Sequence, residues 1–210
     1  LLGKNGTGKS TFLKYLSKTL GLAISYKSQY AYADIQSYKD KKTNTYPKVI
    51  ELLSRTPGFG KTQFDSDVIN PMDVKRLYEK PLNEMSGGEL QRVMIVYCLA
   101  QNANVYLIDE PSANLDIEQR AIVTKVIKRF TLNNRKTCFI VEHDIMMAMS
   151  LAMEKNSKIV VFQESIESIE SIKSIESDTQ NSRTSHCTLP LGFAEGMNLF
   201  LSQLQITFRT

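Results

Sequence analysis

Short apolar runs and helical stripes alternate along the chain. Phe12, Leu13, Leu16 and Leu20 recur at helical spacing, directly after a glycine-rich loop that follows a strand end at Leu1 and Leu2. Residues 22–29 (LAISYKSQ) read as a strand with its exit at Gln29. Residues 46–55 (YPKVIELLSR) show helical periodicity, with Pro47 at a suitable first helical position. One or two short helices follow within residues 65–78, and residues 93–99 continue a helix opened at Gly88. Residues 104–109 (NVYLID) form a short apolar strand of the kind buried on both faces of a parallel sheet. An amphipathic helix over 117–130, a strand over 136–144, a helix over 145–152 and a strand over 158–162 complete the pattern. Strands alternating with helices predict an α/β sheet.

The texture then changes. Residues 165–177 repeat a Ser-Ile-charged triplet, SIESIESIKSIES. A period of three matches neither the strand nor the helix, so isoleucine cannot stay on one face. Residues 163–187 are therefore expected to be a disordered surface insertion. Met197, Phe200, Leu201 and Leu204 suggest a C-terminal helix within 188–210 that packs on the core. The expected organisation is a core over 1–162, with residues 30–88 as a small helical subdomain, then the insertion, then the C-terminal segment.

Composition adds little to this picture. The 210 residues suffice for a real core, and a net charge of +4 is mildly basic, which a solvated surface explains. No apolar run is long enough to span a bilayer, and no signal peptide is visible. Cys98, Cys138 and Cys187 are far apart and form no CxxC pair, which argues against a disulfide partner or a metal–thiolate site. Cys98 and Cys138 sit in apolar runs and are expected in the core, which suits a reducing cytosol. The chain opens inside what looks like the end of a strand, so it reads as a piece of something larger with its upstream strands truncated.

Candidate chemistry concentrates at strand ends. Residues 3–10 (GKNGTGKS) match G-x-x-x-x-G-K-[ST] in full, between a strand and a helix. Backbone N–H groups of such a loop converge on phosphate oxygens, so Asn5, Gly6, Thr7, Gly8, Lys9, Ser10 and Thr11 are the expected ATP-binding residues. Lys9 would reach the β- and γ-phosphates, and the Ser10 hydroxyl would ligate Mg²⁺. Asp109 and Glu110 are adjacent acids at the end of an apolar strand, where charge is hard to justify structurally. Asp109 would hold Mg²⁺, and Glu110 would orient or deprotonate the attacking water. Gln29 could touch the metal or the water, and His143 could reach the γ-phosphate. Ser86, Gly87 and Gly88 open a second helix, whose N–H groups attract an anion, although taken in isolation an ordinary serine N-cap is the favoured reading.

The set of residues 3–10, Gln29, residues 86–89, Asp109 with Glu110, and His143, in this order, resembles the ATP-binding cassette (ABC) superfamily. The resemblance implies a RecA-like P-loop NTPase fold of the ABC type with a small helical subdomain. Residues 86–92 (SGGELQR) look like that family's signature, and residues 112–116 (SANLD) look like its D-loop. Cassettes of the family pair head to tail, which implies that Ser86, Gly87, Gly88 and Glu89 would bind ATP held by a second cassette, with Asp116 beside them. The stretches 105–120, 141–148 and 196–209 further resemble the RNase L inhibitor family. That implies a cytoplasmic, ribosome-recycling ATPase in which this chain is the second cassette of a longer parent. The first cassette, a ribosomal subunit and termination factors are then the expected partners. The family's iron–sulfur cluster lies in a region this chain lacks, so no cluster is expected here, and the fragment alone is expected to hydrolyse ATP weakly. Lys4, Ser28 and Asn114 depart from the family pattern, and the Ser-Ile-Glu insertion is foreign to it. The alternative is the nucleotide-binding subunit of an ABC transporter.

Overall fold

The structure, a computed structural model, describes residues 1–3, 9–19, 21–152 and 161–162. The elements follow the expected alternation: β1 (Leu2–Gly3), α1 (Lys9–Thr19), β2 (Ile24–Lys27), α2 (Ala31–Ile35), α3 (Val49–Leu53), α4 (Thr62–Phe64), α5 (Gly87–Leu99), β3 (Val105–Asp109), α6 (Ile117–Asn134), β4 (Thr137–Val141), α7 (Ile145–Ala152) and β5 (Val161–Phe162). All strand pairs are parallel, in the orders β2-β3-β4 and β1-β5. Leu1 joins the two sets: its nitrogen donates to the Ile140 carbonyl at 2.6 Å, and the Glu142 N–H donates to the Leu1 carbonyl at 3.0 Å. The strand leading into the glycine-rich loop therefore runs beside β4, which in turn separates it from β3. The C-terminal ends of β2, β3 and β4 share one edge, where a parallel sheet gathers its functional loops.

Every residue of β3 is buried, as its continuous apolar run predicts. Its alternation sorts the core. Val105 and Leu107 pack with Phe12, Leu13 and Leu16 of α1, whereas Tyr106 and Ile108 pack with α5, α6 and the helical segments. Leu20 lies outside the described residues. Between β2 and α5 the chain makes short helices only: α2, α3, α4, a single π-helical turn over Asp65–Ile69 and 3₁₀ turns at Gln36–Tyr38, Lys75–Leu77 and Leu82–Glu84. Val49, Leu52, Leu53, Val68, Ile69, Met72 and Leu82 tie them to α5 in the same core.

Two local expectations need correction. Pro47 is not the first helical residue; α3 starts at Val49 with Lys48 as its N-cap. The Lys48 N–H is needed as a donor to the Glu51 carboxylate at 3.1 Å, and the Pro47 carbonyl accepts the Leu82 N–H, so the chain is held extended there. Cys98 is buried as expected, but Cys138 is only partly buried against the core. Both are free thiols, and burial pushes the Cys98 thiol up to about 11. The expected insertion, the C-terminal helix and Cys187 lie outside the described residues. Among the described residues, no helix is long and apolar enough to cross a membrane.

Candidate nucleotide site

The period of two along β3 places its acids. Asp109 follows Val105 and Leu107 on the face toward α1, and therefore meets the first turn of that helix. The Ser10 hydroxyl hydrogen-bonds the Asp109 carboxylate. Asp109 is fully buried, and desolvation pushes its carboxyl above the usual range; the nearby Glu110 adds to the rise, while the Ser10 bond opposes it. The Tyr26 hydroxyl donates to Asp109 Oδ2 at 3.4 Å. Lys9 begins α1 nearly buried; desolvation lowers its ammonium, against the pull of Glu110 and Asp109. Asn5, Gly6, Thr7 and Gly8 lie outside the described residues, and Thr11 is exposed on α1.

Three elements converge on Glu110. Gln29, after β2, donates its amide to Glu110 Oε2 at 2.9 Å. His143, after β4, places Nε2 at 2.5 Å from Glu110 Oε1. Gln91 of α5 donates to the Glu110 carbonyl at 2.7 Å. The backbone at Glu110 is left-handed (φ 47°), a conformation uncommon outside glycine and found where surrounding contacts hold it. The structure thus brings together Gln29, Glu110 and His143, three residues far apart in sequence.

Several supports escaped sequence reading. Lys27, 2% exposed, donates to the Asp109 carbonyl at 2.9 Å, and burial lowers its ammonium to about 8. Glu142 is also buried. It accepts from the Ser112 hydroxyl at 2.6 Å, the Ser112 N–H at 3.3 Å, the His143 N–H at 2.9 Å and the Asp144 N–H at 3.1 Å, which fastens the turn carrying His143 to the loop after Glu110. The available signal was a charged or amide group at a position that alternation or apolar surroundings mark as buried.

The second phosphate-binding candidate is built as a helix start. Ser86 is the N-cap of α5, with its Oγ accepting the Glu89 N–H at 3.3 Å while the Glu89 carboxylate accepts the Ser86 N–H at 2.9 Å. Lys80 adds a 2.7 Å ion pair to the same carboxylate, and these donors hold it down to about 2. The Gly87 and Gly88 N–H groups have no hydrogen-bond acceptor among the described residues. The N-cap and an anion site are therefore compatible: the Ser86 hydroxyl is engaged with Glu89, but the two glycine amides remain able to donate. A Cβ on Gly87 would stand 3.2 Å from Asn114 Cβ, and one on Gly88 2.9 Å from the Asn114 carbonyl oxygen. Asn114 itself is left-handed (φ 60°), which asparagine tolerates better than most residues. Asp116 caps α6, accepting the Gln119 N–H at 2.8 Å.

The residues suit a divalent cation. Asp109 Oδ1 is buried with no hydrogen-bond partner among the described residues, and the Ser10 hydroxyl is adjacent to the same carboxylate. Among the described residues there is no cluster of His, Cys, Asp and Glu able to hold a metal unaided. Mg²⁺ fits such a sparse set because it is commonly held by one or two protein groups plus substrate phosphates.

Comparison with known proteins agrees with this geometry. The family model described as "ABC transporter" matches residues 1–113. The translation initiation factor rli1 of Schizosaccharomyces pombe is 41% identical over 209 residues, covering all of this chain and 31% of that protein. A solved "RNase-L Inhibitor" superimposes with a TM-score of 0.67 at 32% identity, over 98% of this chain and 37% of that one. The complex of an archaeal ribosomal stalk protein with the archaeal ribosome recycling factor gives a TM-score of 0.65, again at 32% identity, over 99% of this chain and 37% of that one. The chain thus spans about a third of the length of these relatives. With a family match over more than half its length, and candidate nucleotide-site residues gathered at one sheet edge, the chain belongs to the ATP-binding cassette family.

Proposed function

We propose that this chain is one half of an ATP-driven clamp: it binds MgATP on its own phosphate loop and completes a second site on a partner cassette. The observation that carries the reading is the convergence of Gln29 and His143 on the two carboxylate oxygens of Glu110, beside the Ser10–Asp109 pair. Lys9 and the loop amides bind the phosphates. Ser10, Asp109 and Gln29 would hold Mg²⁺, which neutralises phosphate charge when bound. Glu110 orients the attacking water and takes its proton, and His143 reaches from Glu110 toward the γ-phosphate.

The free amides of Gly87 and Gly88 are directed to a phosphate held by the partner, with Ser86 beside them. Glu89 contributes there through the backbone it caps, because its carboxylate is already engaged by Ser86 and Lys80. Closure then depends on ATP, since the nucleotide bridges the two halves. The relatives named for translation initiation and ribosome recycling support the use of this closure on the ribosome, with the first cassette of the same parent as the partner. The test is Glu110→Gln in the assembled pair. It is expected to bind ATP and accumulate in the closed state with hydrolysis lowered about 100-fold or more; normal turnover would overturn the role given to Glu110.

A further inference from the structure

The signature helix and the hydrolytic carboxylate belong to different composite sites, yet one side chain joins them. Gln91 lies one turn inside α5, 1% exposed, and its amide donates to the Glu110 carbonyl at 2.7 Å. The same carbonyl accepts the Ala113 N–H at 3.3 Å. The next residue, Asn114, lies against Gly87 and Gly88 at the start of α5. Helix start, Asn114, Ala113, Glu110 and Gln91 therefore close a ring, in which the start of α5 and the turn after β3 form one body. Across the sheet, Lys27 holds the preceding carbonyl, that of Asp109, to β2. Two donors on different elements thus fix two consecutive carbonyls around the left-handed Glu110.

We infer that Gln91 is a positioning residue that couples the two nucleotide sites: when the start of α5 engages the partner's nucleotide, Gln91 sets the backbone of Glu110 and so aims its carboxylate at this chain's own nucleotide. The inference rests on the reading given under Proposed function. Its physical content is a contiguous chain of contacts, and a displacement of α5 cannot leave the Glu110 peptide unmoved while the Gln91 bond persists. Among the described residues Gln91 bonds to no phosphate-binding group, and Gln29 and His143 hold the Glu110 carboxylate independently of it. Removing its donor therefore leaves the reacting groups in place and opens the ring at its shorter bond, leaving only the 3.3 Å Ala113 bond between the start of α5 and the Glu110 carbonyl.

The experiment uses the assembled cassette pair, with the partner's own hydrolysis silenced so that only the site served by Glu110 turns over. Turnover is measured with the partner's phosphate loop able to hold ATP and with that loop disabled, and the ratio of the two rates is the coupling. In the unsubstituted pair the ratio is expected to be about tenfold or more, within the usual range of site–site coupling. Gln91→Met, which keeps the volume and removes the donor, is expected to bring the ratio below about twofold. Nucleotide affinity and ATP-dependent closure, followed by fluorescence titration and an intercassette distance probe, should stay unchanged. A ratio equal to that of the unsubstituted pair overturns the inference alone. Joint loss of affinity, closure and rate in Gln91→Met also overturns it, by making the residue merely structural. An unsubstituted pair that does not close on ATP is a different failure: the underlying reading falls, and the inference with it.

Discussion

Glu89→Gln isolates the charge that holds the signature helix in place. Glutamine can still accept the Ser86 N–H, so the reciprocal cap survives, but the ion pair with Lys80 is lost. The native carboxyl moves from an ordinary 4.5 to about 2, led by the Lys80 hydrogen bond and then the Ser86 N–H. At about 1.4 kcal/mol per pH unit, that gap bounds the effect at about 3 kcal/mol. Both side chains retain solvent contact, 21% for Glu89 and 35% for Lys80, so screening reduces the expectation to about 1–2 kcal/mol. The sign follows from proton binding. The folded state holds its proton less tightly, so the stabilisation is complete above pH 4.5 and is lost as pH falls toward about 2. Urea unfolding of both proteins should show the substituted chain less stable by about 1–2 kcal/mol at pH 7, with the difference falling below about half by pH 3. A difference under about 0.3 kcal/mol at pH 7, or one that does not change with pH, would refute the reasoning.

Two other substitutions probe the same framework. Gly88→Ala places a Cβ 2.9 Å from the Asn114 carbonyl oxygen, so the loop after β3 must shift; unfolding should report a cost of about 1–3 kcal/mol, and ATP-dependent closure should weaken with it. Glu142→Ala strips the acceptor from the Ser112, His143 and Asp144 donors, and is expected to cost about 3 kcal/mol and to lower hydrolysis more than nucleotide binding, measured by unfolding and by the split between kcat and KM.

Much of this arrangement is legible in the sequence because it depends on local rules. The loop motif needs only glycine freedom and a helix behind it, and the run over 104–109 needs only to be apolar to be placed in the centre of a parallel sheet. Period two then takes Asp109 to the α1 face without further information. The supports are different. That Lys27 reaches the Asp109 carbonyl depends on the register of β2 against β3, and that Gln91 reaches Glu110 depends on how α5 lies across the sheet. Neither is encoded within one segment. Glu142 shows the same limit: its neighbour His143 draws attention as a titratable group at a strand end, while the carboxylate that orients this turn is read only when Ser112 is seen opposite it. Pro47 shows how a local rule fails. Proline suits a first helical position, but a bridge between Lys48 and Pro81 holds the chain extended until Val49.

The central claim is that the amides at Gly87 and Gly88 serve a nucleotide held by another cassette. Steady-state ATP turnover of this chain, alone as a proven monomer and then with the partner cassette added, tests it most directly. The account predicts near silence alone and a rise of at least about 100-fold on pairing, since under the proposed reading half of each site would come from the other chain. Brisk turnover by the monomer, unchanged on pairing, would contradict it.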